Sequence, residues 1–168
     1  VAGWGVCVWR WPIETDAPDY VLHVPVVAAE RHHLWLGARA ATNNTGGLTA
    51  IAEAMIWLLR EAPDDGTRPV DIRLDSYYAA NLAKGIWEPR SNEELACRTR
   101  ELVQEVSRRR VITWTHVYGH TGEHDNEFAD QAADRGARNQ VSAHSARCAA
   151  PPPPLPEPPA PAAPEGLQ

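Results

Sequence analysis

The chain has 168 residues, 43% of them hydrophobic and seven of them Trp, enough for one domain with a real core. Its 16 Lys and Arg against 22 Asp and Glu give a formal charge of −6, which excludes a general polyanion binder but not a local basic face. Cys7, Cys97 and Cys148 show no paired spacing, which argues against a disulfide framework and for a reducing, intracellular location; no signal peptide is visible in these residues, nor an apolar run of the ~20 residues a membrane span needs.

In chain order, Gly3–Arg10 reads as a strand, and a chain that opens without Met inside a patterned β-element is expected to be a fragment of something longer. Residues 10–20 are a polar loop, and Tyr20–Val27 and His33–Arg39 follow as strands. A helix over Leu48–Glu61 is preceded by NNTGG, so Asn and Thr supply caps while Gly46 and Gly47 sit in the first turn. Each glycine costs about 1 kcal/mol against Ala in a helix, so the pair needs a reason. Val70–Leu74 is a strand, Tyr77–Lys84 and Asn92–Arg109 are helices, Val111–Val117 is a strand, and Asn126–Ala137 is the last helix. The order β-β-β-α-β-α-α-β-α predicts a mixed α/β domain over residues 1–140. Residues 141–168 form a Pro/Ala-rich tail, with nine prolines between Pro151 and Pro164, expected to be extended and disordered. The tail suits a passive spacer, or a ligand for an SH3-type or WW-type domain through Pro153, Leu155 and Pro156, although no Arg or Lys lies in the run to orient it.

Two stretches carry residue types suited to chemistry. Asp75 stands at the C-terminal end of a strand, where open α/β sheets present groups to ligands; it equally suits a cap on the next helix. In HVYGHTGEHDNEFADQAAD, residues 116–134, glycines hold a loop, a helix opens near Asn126, and Asp130 lies just past its first turn. Asp side chains from different elements, with His120 on a loop, suit metal-assisted phosphodiester hydrolysis, because hard Mg²⁺ takes carboxylate oxygens and a loop His can relay protons. A zinc site from His116, His120 and His124 is the rival, weakened by the glycines between them and by the lack of a nearby Cys pair.

TNNTGGLTAIAEA, LDSYYAANLAKGIWEPRSNEEL and WTHVYGHTGEHDNEFADQAAD resemble, in order, the three signatures of type 1 ribonuclease H. The resemblance runs from Gly3 to about Arg138, and GIWEPRSNEEL, without a long basic insertion, is closer to eukaryotic and retroelement versions than to the bacterial enzyme. It implies a ribonuclease H-like mixed sheet flanked by helices, and endonucleolytic hydrolysis of RNA in RNA–DNA hybrids by two-metal catalysis with Mg²⁺ or Mn²⁺. Asp75 and Asp130 would be metal-binding catalytic carboxylates and His120 would assist product departure. Asn43 and Asn44 would contact the hybrid's minor groove, where 2′-hydroxyls distinguish RNA, and Asn126 would fix the loop before the last helix.

Two departures from that pattern bear on activity. The family's second catalytic carboxylate is a Glu in the helix that opens with TNN; here that position is Gly47. Glu53 cannot replace it, lying about 600° round the helix from Gly47 and almost two turns on, and it reads as a solvated residue. The family's central first strand, with the first catalytic Asp, precedes GWGV and is missing from this sequence. Two of four carboxylates are then absent, which predicts weak metal binding, little cleavage and poor stability of the chain alone. An inactive hybrid-binding module, with Arg108–Arg110 as a basic patch or merely a solvated helix end, and an interaction protein acting through its tail are the alternatives.

Overall fold

In the computed structural model, which describes residues 1–119 and 124–142, the elements are β1 (Gly3–Val8), β2 (Tyr20–Pro25), α1 (Asn43–Arg60), β3 (Val70–Leu74), α2 (Tyr77–Ala83), α3 (Glu93–Ser107), β4 (Ile112–His116) and α4 (His124–Ala137). The expected tail begins later than residue 141, because Ser142 is buried and bonded to His23; residues 143–168, with the candidate docking motif, lie outside the described residues. Among these residues no helix is long and apolar enough to cross a membrane.

β1 alternates small and bulky residues, so one of its faces is thin and the other thick. It pairs antiparallel with β2, Trp4 opposite Val24 and Val6 opposite Leu22. Trp4, Leu22 and Val24 are buried in the core that α1 covers, where Tyr20 meets Trp57 at 5.1 Å between ring centroids. The opposite face receives α4. A Cβ on Gly5 would stand 2.5 Å from the Ala133 nitrogen and 2.7 Å from the Ala129 oxygen, so only glycine admits the helix this closely. Ser142 seals the end of this layer by donating from its backbone N–H to the His23 carbonyl at 2.9 Å.

β3 and β4 form a separate parallel pair, Leu74 opposite His116. The described sheet is therefore two two-stranded pieces, β1-β2 and β3-β4. The carbonyls of Ala2 and Val8 accept from Val26 and Asp19, so the backbone polar groups of Gly3, Gly5 and Cys7 face away from β2. Among the described residues no strand pairs with that edge of β1.

The expected strand at His33–Arg39 is not one. Its alternation is real, since Leu34, Leu36 and Ala38 are buried. The segment instead turns on itself, with Trp35 donating to the Ala38 carbonyl at 2.8 Å and Gly37 at φ 112°, a left-handed conformation no strand contains. A Cβ on Gly37 would lie 2.5 Å from the Leu95 nitrogen, so packing against α3 sets the backbone. Glu53 is also not solvated: it is only 4% exposed, because it shares a face of α1 with buried Thr49 and Trp57. Of the three arginines after α3, Arg108 and Arg109 reach back to Glu105, but Arg110 is buried and forks onto both oxygens of Asp64, at 3.0 Å each.

α1 begins five residues earlier than expected. Thr42 is its N-cap, and its hydroxyl accepts from the Thr45 N–H at 3.2 Å in a reciprocal capping box. Gly46 and Gly47 thus lie inside the first turn, for different reasons. A Cβ on Gly46 would sit 2.9 Å from the Gly3 carbonyl oxygen, a backbone atom that cannot turn aside. A Cβ on Gly47 would meet only the Ala79 methyl, at 3.2 Å, which a shift of a few tenths of an ångström relieves. Gly46→Ala is expected to destabilise the fold by ~1–3 kcal/mol through overpacking. Gly47→Ala gains ~1 kcal/mol of helix propensity against a mild contact and should fall within ~1 kcal/mol of the parent. Urea denaturation of the two variants checks the contrast.

Candidate active site

The parallel pair sets the site. β3 ends at Leu74, whose carbonyl accepts from the Val117 N–H at 3.0 Å, and the chain then presents exposed Asp75 at the C-terminal end of the strands. Ser76 caps α2 by accepting from the Ala79 N–H at 3.1 Å, so the capping role belongs to Ser76 and leaves the Asp75 carboxylate available. Gly119, just past β4, lies directly against that carboxylate: a Cβ there would stand 2.7 Å from Oδ2. His116, the last residue of β4, places Nε2 3.0 Å from the Asp75 carbonyl oxygen.

α1 approaches from a third side. A Cβ on Gly47 would be 3.8 Å from both Cβ and Oγ of Ser76, the neighbour of Asp75. A side chain at position 47 therefore starts out against Ser76 and Ala79, and the glycine supplies none. Asn43 and Asn44 occupy the exposed first turn of the same helix.

α4 carries Asp130. Arg73 of β3 donates to Asp125 at 2.7 Å, which ties the first turn of α4 to the strand that ends in Asp75. Asn126 is buried, and its Nδ2 donates to Asp130 Oδ2 at 3.3 Å. This orients the Asp130 carboxylate from within the helix, a more specific task than fixing a loop. Gly5, by admitting Ala129 and Ala133 against β1, sets the depth of the turn that carries Asp130.

His120 lies outside the described residues, as does the side chain of His124. Of the zinc alternative, His116 is described, and it is engaged with Asp75 and with Tyr77, whose ring stacks on it at 3.8 Å. Among the described residues no three His, Cys, Asp or Glu side chains converge. The donors present are hard carboxylate oxygens, the right chemistry for a divalent ion, but they do not by themselves close a site for one. The sequence reading named His116 only as a zinc ligand and missed Tyr77 and the Arg73–Asp125 tie. The only signal for Tyr77 was its position two residues after Asp75.

The family model for RNase H matches residues 21–138, which includes every described element except β1 and the start of β2. The chain belongs to the RNase H family. This RNase H domain is 36% identical over 116 residues to the ribonuclease H of Pseudomonas fluorescens, covering 61% of this chain and 71% of the relative. It is 35% identical over 130 residues to that of Saccharopolyspora erythraea, covering 66% and 77%. To that of Nitrosospira multiformis it is 31% identical over 130 residues, covering 69% and 77%. The mixed α/β architecture expected from the sequence is the one this family match accompanies. The family acts on RNA–DNA hybrids with divalent metal ions.

Proposed function

We propose that this RNase H domain binds RNA–DNA hybrid across the crevice at the ends of β3 and β4, and that it cleaves the RNA strand poorly. The observation that carries the reading is at Gly47: an α1 position whose Cβ would stand 3.8 Å from Ser76, the residue after Asp75, holds no carboxylate. Asp75 and Asp130 would hold Mg²⁺ or Mn²⁺ weakly, Asn43 and Asn44 would face the minor groove, and Asn126 would orient Asp130. His120 would assist product departure. The proposal extends to the sheet: a further strand bearing a carboxylate would seat between β1 and β3, where the polar groups of Gly3, Gly5 and Cys7 face away from β2. The short connection from α2 to α3, residues 84–92, supports affinity with the eukaryotic and retroelement branch, while free Cys7 and Cys97 support a reducing, intracellular setting.

A labelled hybrid titrated with the chain in EDTA, then challenged with Mg²⁺ or Mn²⁺, tests this reading. The expected result is salt-sensitive binding with slow cleavage that Asp75→Asn abolishes. Fast cleavage that survives Asp75→Asn overturns the placement of the site, and failure to bind hybrid overturns the function.

A further inference from the structure

Tyr77 opens α2 two residues after Asp75, and its ring lies flat on His116, centroids 3.8 Å apart and planes 13° from parallel. His116 is itself fixed, by Nε2 against the Asp75 carbonyl oxygen at 3.0 Å and by an edge-on contact with Tyr118 at 5.1 Å and 88°. Yet Tyr77 is 59% exposed and Tyr118 66%. A ring of this size is usually spent on core or interface burial. Neither the core nor the helix start requires it here, because Ser76 makes the cap and Ala79, Ala80 and Leu82 make the buried face of α2.

One face of Tyr77 is covered by His116, so its exposed area is the other face and the edge. The ring is pre-ordered by its stack, and little conformational freedom is left to lose when a partner packs on it. The surroundings indicate what that partner is. The platform stands beside the carboxylate that the site is built on, and the chain carries a charge of −6, so its affinity for a polyanion cannot rest on bulk electrostatics. Contact with π-faces and sugar rings is an affinity term that does not depend on net charge, and it is available from every nucleoside.

Resting on the hybrid-binding reading above, we infer that Tyr77, braced by His116 and flanked by Tyr118, is a nucleoside platform. It packs on a base or sugar of the nucleic-acid strand that lies across Asp75. The contact is apolar and independent of phosphate charge.

Fluorescence anisotropy of labelled RNA–DNA hybrid and labelled single-stranded RNA, with the full chain in EDTA, tests it. Tyr77→Ala is expected to weaken binding about tenfold, while Tyr77→Phe keeps it and Tyr77→Leu, equally bulky but without a π-face, does not. The slope of log affinity against log salt stays that of the parent, since no phosphate contact is removed. Loss on both ligands assigns the contact to a base, and loss on hybrid alone assigns it to a sugar in the duplex groove; either supports the platform. Parental binding by Tyr77→Ala, or equal loss in Tyr77→Phe and Tyr77→Ala, overturns it while leaving hybrid binding intact. A parent chain that binds neither ligand overturns the hybrid-binding reading and the platform with it.

Discussion

Gly47→Glu is expected to tighten Mn²⁺ binding on the order of tenfold, because affinity for hard cations rises with the number of charged oxygen ligands. The side chain emerges beside Ser76, and its Cβ asks only for a small movement of the Ala79 methyl. Helix electrostatics favour the change as well. The first turn of α1 contains no acidic residue, and a carboxylate near a helix N-terminus contributes about 0.3–1 kcal/mol. Calorimetric titration of Mn²⁺ into the parent, Gly47→Glu and Gly47→Gln separates charge from bulk. Gln should bind like the parent and Glu more tightly. Equal affinity for all three would mean that position 47 does not address the ion held by Asp75.

Asp64→Ala is expected to destabilise the fold by about 3 kcal/mol, because it strands a buried cation. The Arg110 side chain is 3% exposed, and its guanidinium is held by two bonds to Asp64 and one to the Arg68 carbonyl at 3.2 Å. These bonds join the loop after α1 to the segment between α3 and β4, and so hold the register in which β3 and β4 lie parallel. The hydrogen bonds from Arg110 also keep the Asp64 carboxyl below its ordinary value of 3.8, assisted by the Gly66 backbone N–H. A depressed native pKa means that this stabilisation is complete above the unfolded value and is lost as pH falls through the lower native one. The urea midpoint of the parent should therefore drop below pH 4, and Asp64→Asn should show a smaller part of that drop. An Asp64→Ala variant as stable as the parent at pH 7 would show that Arg110 is adequately solvated without its partner.

The two corrections in the chain's first half have a common origin. At His33–Arg39 the apolar alternation reported which side chains are buried, but alternation is local and pairing is not. Leu34, Leu36 and Ala38 bury themselves in a turn because α3 crowds Gly37, and α3 is more than fifty residues away in sequence. Glu53 was judged by its charge, whereas its environment follows from which side of α1 the β1-β2 layer covers. Arg110 differs from Arg108 and Arg109 only by its angle past the end of α3, and the sequence RRR cannot express that.

By itself the sequence determined the mixed α/β class, the placement of Asp75 at a strand end, Asp130 within the last helix, and a glycine pair near the start of α1. Each of these depends on spacing along one segment, where backbone geometry is nearly fixed. Only the tertiary structure decided that Gly46 and Gly47 differ, one pressed on the Gly3 carbonyl and the other opening toward Ala79 and Ser76. It alone also decided that Asn126 steers Asp130, that the described strands form two separate pairs, and that Tyr77 lies stacked on His116 beside the site. Those relations join segments far apart in the chain, and they are set by how closely the backbones pack.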